Sequence, residues 1–197
     1  MNKDWRGDRN SVFKGLGASN HTDKEREEND YYATDPIAID LLVENETLNN
    51  VLECSCGEGH LSERMKSHNI NVRSIDLIDR GYGEVMSFFD VKEWNGDIVT
   101  NPPYKIAQEF IEHSLNIVND GSKVCMFLKL QFLEGKKRKK LFTKYPPKTL
   151  YVSSSRILCA KNADFEGMKK GGGSAVAYAW YVWEKGYSGD TIIKWIN

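Results

Sequence analysis

Apolar residues fall, from about residue 31 onward, into short continuous runs and longer periodic stripes. Short apolar runs between polar residues are typical of buried strands, whereas apolar residues three and four positions apart indicate the buried face of a helix. The runs predict strands at 51–54, 71–75, 97–100, 123–128, 150–153 and 175–184, with a weaker candidate at 85–89. The stripes predict helices that begin at Asp35-Pro36 and that cover about 59–67, 105–118 and 135–143.

This alternation of strands and helices predicts an α/β, Rossmann-like fold, in which helices cover both faces of one sheet. The sheet is expected to be mostly parallel and seven-stranded. The last two predicted strands are expected to form a C-terminal antiparallel hairpin around a glycine-rich loop at the edge of the sheet. Residues 1–30 are polar and show almost no periodic apolar pattern, which predicts a partly mobile N-terminal arm. The remainder, 31–197, is expected to be a single domain.

Composition narrows the class of protein without naming a function. No apolar run approaches the roughly 20 residues that span a bilayer, and the segment after Met1 lacks the apolar core of a signal peptide. A cytoplasmic protein without a membrane partner is therefore expected. The 4 cysteines lack the paired spacing of a zinc site, so reduced thiols and no metal are expected. With a net charge of −1, binding to nucleic acid would need a local basic surface.

A glycine-containing segment follows the first strand of the main alternation and indicates a nucleoside site. In an open parallel sheet, ligands bind beyond the carboxyl ends of the strands. Glu53 and Cys54 lead there into a turn in which Gly57 and Gly59 permit close backbone approach. Asp76 ends the next strand, where a carboxylate can accept hydrogen bonds from both ribose hydroxyls. The turn matches neither common phosphate-binding loop, which favours a nucleoside without phosphates, such as S-adenosylmethionine; a plain strand-to-helix turn is the alternative.

The segment Asn101-Pro102-Pro103-Tyr104 directly follows an apolar strand and indicates recognition of an amino group. Two prolines hold the backbone rigidly and withhold their N–H groups. The Asn101 side-chain carbonyl and the Pro102 backbone carbonyl can each accept from one amino N–H, and Tyr104 offers a face for a flat base or amide. A rigid turn that only terminates a strand is the structural alternative.

Together these motifs resemble the class I S-adenosylmethionine-dependent amino methyltransferases. Asn101 to Tyr104 is similar to their N/D-P-P-Y/W motif, 53–59 to their cofactor loop, and 32–36 to the segment that precedes that loop in many adenine-N6 DNA methyltransferases. The resemblance covers roughly 31–157, and small solitary phage or prophage enzymes are the nearest relatives expected. It implies that Tyr32 and Thr34 contact the methionine end of the cofactor.

The resemblance implies further roles around the same cofactor. Glu53 and the Gly57 region would hold its amino group, Asp76 its ribose and Asp90 its adenine amino group, with Phe89 packed nearby. The acceptor would bind at 101–104. The large restriction-type enzymes carry a separate target-recognition domain, and this chain departs from them because it has no room for one.

Basic residues supply candidate contacts to a nucleic acid. Lys136, Lys137 and Arg138 begin a run of cations that can neutralise phosphates or, alternatively, form a solvated helix face. Lys169 and Lys170 lie in a glycine-rich loop that is well placed to close over a substrate, and Arg156 is a further candidate for a phosphate contact.

The favoured function is transfer of a methyl group from S-adenosylmethionine to adenine N6 in DNA. The enzyme is expected to act as a monomer or weak homodimer. Methylation of structured RNA, methylation of a protein glutamine amide and a non-catalytic nucleoside-binding module are the alternatives.

Overall fold

The computed structural model describes residues 32–161, 163, 165–170 and 176–197. The predicted arm, 1–30, lies outside the described residues. Within them, the helices are α1 Ile37–Val43, α2 His60–Ser67, α3 Ala107–Ile117, α4 Lys136–Lys144 and α5 Phe165–Lys170. The strands are β1 Tyr32–Thr34, β2 Val51–Glu53, β3 Val72–Asp76, β4 Glu84–Val85, β5 Ile98–Thr100, β6 Lys123–Lys129, β7 Thr149–Ser153, β8 Cys159–Lys161, β9 Tyr178–Glu184 and β10 Ile192–Ile196.

The main sheet is α/β and mostly parallel, as the alternation of strands and helices predicted. Its order is β10-β7-β9-β6-β5-β2-β3-β4, and β9 runs antiparallel to both of its neighbours. The strands β2, β3, β5 and β6 are parallel, so that their carboxyl ends meet at one edge. This edge carries the segments that follow Glu53, Asp76 and Thr100, which is where the sequence placed its candidate chemistry.

Side chains that alternate along the strands build a core on each face of the sheet. On one face, α1 and α2 contribute Ile39, Leu42 and Met65 to a cluster with the sheet residues Val99 and Phe127. On the other, the apolar stripe of α3 packs against the neighbouring positions of the same strands, with Phe110, Ile111, Ile98, Val124 and Met126 among its members. A sheet covered on both faces explains why β6 is a continuous apolar run.

The predicted strand at 85–89 is wrong beyond its first residue. Only Glu84 and Val85 pair with β3, and 88–90 form a 3₁₀ turn. Phe88 is buried against Phe110 and His113 of α3, with ring centroids 4.9 and 4.8 Å away. Burial against a helix, not strand pairing, accounts for the apolar residues of this segment.

Two further features were not predicted. The sheet has eight strands instead of seven, because β10 adds to β7 in parallel at the outer edge. A separate two-stranded ribbon forms where β1 pairs antiparallel with β8, with Thr34 opposite Cys159. The predicted antiparallel pairing of 150–153 with 175–184 is confirmed as β7 with β9, although β8 and α5 intervene in the chain. In the described part of the chain, no helix is long and apolar enough to cross a membrane.

Candidate active site

A cavity of about 370 Å³ opens at the carboxyl edge of the parallel strands. Its walls come from both predicted motifs, from the segment after β3 and from the ribbon strand β1. The predicted residues that line it are Tyr32, Thr34, Glu53, Cys54, Asp76, Phe89, Asn101, Pro102, Pro103 and Tyr104. The fold therefore joins the proposed nucleoside loop and the proposed acceptor motif in one chamber.

Three of the residues predicted to bind the cofactor do not line the cavity, namely Gly57, Gly59 and Asp90. Asp90 is exposed at the end of the 3₁₀ turn, while Ser87 and Phe89 of the same segment face the chamber. Gly57 acts through its backbone: its N–H donates to Asp76 Oδ2 across 2.8 Å. Both glycines have left-handed backbone torsions, φ 54° and 85°, a region in which a side chain is strained.

Asp76 links the glycine turn to the segment that follows β3. Its second carboxylate oxygen, Oδ1, accepts from the N–H of Ile78 across 2.9 Å. Two backbone donors therefore hold the carboxylate at the cavity wall. Each oxygen has a further lone pair for a ligand hydroxyl, so the arrangement suits a nucleoside ribose.

Glu53 is the buried carboxyl of the site, with 1% of its surface exposed. Its Oε2 accepts from the Ser62 hydroxyl, which in turn contacts the Ser74 hydroxyl. Burial, which disfavours the charged form, raises the pKa of Glu53 to about 8. Near neutral pH in the ligand-free protein the carboxyl is thus largely protonated, and a cationic group beside it would favour its ionisation.

The Asn101 side chain has one satisfied end and one open end. Its Nδ2 donates to Thr34 Oγ1 across 2.8 Å and lies 3.5 Å from the Tyr32 carbonyl oxygen. Its Oδ1 is buried and has no hydrogen-bond partner among the described residues. A buried acceptor without a partner costs about 1–3 kcal/mol and requires an explanation. Because Asn101 lines the chamber, a ligand amino group is a suitable partner.

The backbone of the acceptor motif is anchored to the cofactor loop. The Ser55 hydroxyl donates to the Asn101 backbone carbonyl across 2.9 Å and contacts the Thr100 hydroxyl at 3.1 Å. The positions of the two motifs are thereby coupled through a single side chain, in addition to the pairing of β2 with β5.

Tyr104 stands at the inner end of the motif and is held on several sides. Its hydroxyl donates to Cys159 Sγ at 3.8 Å, and its ring centroid is 6.3 Å from that of Tyr178. The Lys129 ammonium lies 4.7 Å from the ring centroid, within the range of a cation–π contact. Burial raises the pKa of Tyr104 well above its usual value, so that the phenol stays protonated.

The cysteines of the site are suited to packing more than to nucleophilic chemistry. Burial raises the pKa of both Cys54 and Cys56, the latter to about 12, whereas reactivity needs a thiolate. All 4 cysteines are buried and free of disulfides. The described residues hold no group of three or more His, Cys, Asp or Glu side chains that could bind a metal ion.

Sequence reasoning missed several lining residues, among them His60, Arg80, Ser87 and Lys105. Lys105 directly follows the acceptor motif, and its position in the sequence could have identified it as a residue of the site. His60 begins α2, and its ring meets the edge of Phe165 of α5 with centroids 5.8 Å apart. The segment after β8 therefore contacts the rim of the chamber.

The predicted nucleic-acid contacts occupy different environments. Lys136 and Lys137 are exposed. The Arg138 side chain instead contacts the segment before its helix. Its guanidinium lies 4.4 Å from the Phe132 ring centroid and donates to the carbonyl oxygens of Gln131 and Glu134. Arg156 is exposed before β8. Lys169 and Lys170 belong to α5, but their side chains lie outside the described residues.

No protein-family model matches the chain, and no curated protein is similar to it in sequence. Solved structures do share its fold. One belongs to a Listeria monocytogenes protein described as a class I S-adenosylmethionine-dependent methyltransferase, with 12% sequence identity and a TM-score of 0.50. The match covers 81% of this chain and 62% of the Listeria protein. A chain of a type I restriction–modification system is 16% identical with a TM-score of 0.53, covering 95% and 48%. A Streptococcus thermophilus protein described as a hemolysin is 13% identical with a TM-score of 0.55, covering 86% and 72%.

These likenesses establish a Rossmann-like α/β fold for this chain. The chain spans less than two thirds of the length of the first two structures. At such low identities the likeness concerns the fold alone, and one fold hosts many functions. Function must therefore be argued from the site.

Proposed function

We propose that this protein transfers a methyl group from S-adenosylmethionine to the exocyclic N6 amino group of adenine in DNA. The observation that carries the proposal is the buried Oδ1 of Asn101, an acceptor without a partner among the described residues, in a side chain that lines the chamber. An amino group is the donor that such an oxygen lacks. The fold is one in which methyl transfer is established chemistry.

The acceptor motif would activate the amine by accepting its protons. Asn101 Oδ1 would accept from one N–H and the Pro102 carbonyl from the other, which draws the nitrogen lone pair out of conjugation with the ring. The lone pair is then directed at the electrophile. Tyr104 would pack against the flat acceptor, and the surplus proton would leave only after the new N–C bond has formed, so no strong base is needed beforehand.

The residues on the other side of the chamber fit the cofactor. The Asp76 carboxylate would accept hydrogen bonds from the ribose hydroxyls while the backbone N–H groups of Gly57 and Ile78, which donate to it, keep it in place. Glu53 would accept from the cationic amino group of the methionine part, and Phe89 would pack beside the adenine. When bound, S-adenosylmethionine supplies a methyl group on a positively charged sulfur.

Exposed cations favour a nucleic acid over a peptide as the substrate. Lys105 lines the chamber, and Lys136 and Lys137 are exposed on the helix that follows β6. Phosphates would be neutralised there, and an adenine would have to leave the base stack to reach Asn101. Residues 31–197 would form one methyltransferase domain without a separate target-recognition domain. The type I restriction–modification neighbour supports DNA as the polymer.

The test is methyl transfer from labelled S-adenosylmethionine to unmethylated DNA, with structured RNA and a protein extract in parallel, followed by identification of the labelled product. We expect N6-methyladenine in DNA, lost in Asn101→Ala and retained in Asn119→Ala, a control at the exposed turn before β6. Label only in RNA or only in glutamine amides would replace the DNA substrate by that acceptor. Cofactor binding without label anywhere would contradict catalysis and support a nucleoside-binding module.

A further inference from the structure

The two-stranded ribbon of β1 and β8 lies directly behind the acceptor motif. Thr34 and Cys159 are register partners in this ribbon, and both are 3% exposed. Cys159 Sγ lies 3.9 Å from Thr34 Oγ1 and 3.8 Å from the Tyr104 hydroxyl. The ribbon therefore contacts the acceptor motif at both of its ends, because Thr34 also meets Asn101.

The contact with Thr34 is made by the Nδ2 end of the Asn101 amide, which leaves Oδ1 as the end without a partner among the described residues. The Tyr32 carbonyl oxygen can only accept a hydrogen bond, and it lies on the Nδ2 side of the amide at 3.5 Å. Thr34 Oγ1 lies 2.8 Å from the same nitrogen. Thr34 Oγ1 also lies 3.9 Å from Cys159 Sγ, where either group can be the donor, and a Thr34 hydroxyl that donates to Sγ presents a lone pair to Nδ2. Two acceptors on one side thus leave the oxygen, Oδ1, for the other.

We infer that Thr34 is a positioning residue that holds the Asn101 amide with Oδ1 towards the substrate. An amide rotated by 180° would present Nδ2 to the incoming amino group, and two N–H groups cannot hydrogen-bond to each other. Of the two acceptors on the Nδ2 side, Thr34 Oγ1 is the nearer, at 2.8 Å against 3.5 Å for the Tyr32 carbonyl oxygen. The inference rests on the proposed methyl transfer, in which Asn101 Oδ1 accepts from the substrate.

A rival role for Thr34 predicts a different kinetic pattern. The resemblance described above implies that Thr34 contacts the methionine end of the cofactor. In that case, loss of its hydroxyl would weaken cofactor binding. A positioning role instead predicts a fall in kcat while the Kd of the cofactor is unchanged, because the substrate-facing amide is what changes.

Thr34→Val tests the inference because valine keeps the shape of threonine and removes only the hydroxyl. We expect kcat to fall on the order of 10², as for the loss of one preorganised polar contact, with cofactor Kd unchanged. Thr34→Ser, which keeps Oγ, should restore most of the rate. A Kd increase at constant kcat, or equal losses in Thr34→Val and Thr34→Ser, would overturn the positioning role. Thr34→Ala replaces the valine variant if that variant does not fold.

A measurement on the ligand-free protein separates this inference from the proposed function. The side-chain NH₂ signals of Asn101, assigned by their loss in Asn101→Ala, report the hydrogen bond to Thr34 directly in NMR spectra. We expect one of these protons to shift upfield and to exchange faster with water in Thr34→Val, and to stay near its wild-type position in Thr34→Ser. Unchanged signals in Thr34→Val would refute the inference. Absence of methyl transfer by the wild type would refute the proposed function instead.

Discussion

The ring of Tyr82 lies against the α-carbon of Gly59, so that a β-carbon at this position would come within 2.6 Å of three ring atoms. The ring cannot easily retreat, because its hydroxyl donates to Glu63 and accepts from Lys66 Nζ at 2.8 Å. Gly59 also has φ +85°, which strains any side chain. Two independent causes therefore require glycine where the cofactor loop enters α2.

Gly59→Ala is expected to destabilise the protein more than Gly121→Ala. Gly121 has a similar φ of +82° but nothing within 4 Å of the added β-carbon. The control therefore contains the backbone strain alone, of about 1 kcal/mol, while Gly59→Ala adds an overpacking cost of about 1–3 kcal/mol. Denaturant unfolding of both variants measures the difference. Equal decreases in the free energy of unfolding of the two variants would show that the Tyr82 ring moves aside without an energetic penalty.

The free energy of unfolding is expected to fall as pH rises, because Glu53 loses its proton. Its pKa is about 8 in the folded protein against 4.5 for the free side chain, so the folded state binds the proton more tightly. The resulting stabilisation is fully present below pH 4.5 and is lost as pH rises through about 8. Glu53→Gln has no titrating group at this position, so its stability should lack this dependence on pH.

Unfolding free energies of the wild type and of Glu53→Gln, measured between pH 5 and pH 8, test this expectation. Other titrating groups contribute to both proteins, so their difference isolates Glu53. The free energy of unfolding of the glutamine variant, relative to that of the wild type, should rise by roughly 1 kcal/mol per pH unit across this interval. A difference that does not depend on pH would contradict a raised pKa at Glu53.

Lys136 and Lys137 are expected to set part of the salt dependence of DNA binding. Each phosphate contact contributes about 0.9 to the slope of log affinity against log salt. Replacing both lysines by glutamine should therefore flatten this slope by about 1.8. Lys194→Gln, an exposed position on the outer strand β10, provides the control. An unchanged slope in the double variant would place the phosphate path elsewhere.

Local sequence patterns were sufficient for much of the fold. The continuous apolar run of β6 and the stripe of α3 appear where predicted, since each pattern matches one period of secondary structure. Trp180 and Trp183 of β9 are buried because β9 lies between β7 and β6, and not at the edge of the sheet where its hairpin was expected. The strand predicted at 85–89 was wrong because Phe88 is buried against α3. Apolar character alone does not distinguish burial by a helix from burial in a sheet.

The ends of the sheet were harder to predict than its centre. Ile192, Ile193 and Trp195 of β10 are exposed, so no buried face imposes a period on that segment. The ribbon of β1 with β8 joins segments that are distant in the chain, and each strand has only three residues. Nothing in a three-residue segment indicates its partner.

By itself, the sequence determined that glycines, a carboxylate and the Asn101–Tyr104 motif follow successive strands. In a parallel sheet, this is enough to bring them to one edge. Only the tertiary structure decided which of their atoms are paired and which are buried. Asn101 Nδ2 meets Thr34 while its Oδ1 has no partner among the described residues, and the raised pKa of Glu53 depends on its complete burial. Hydrogen-bond direction and desolvation are properties of the assembled surroundings, and a residue's type and spacing do not specify them.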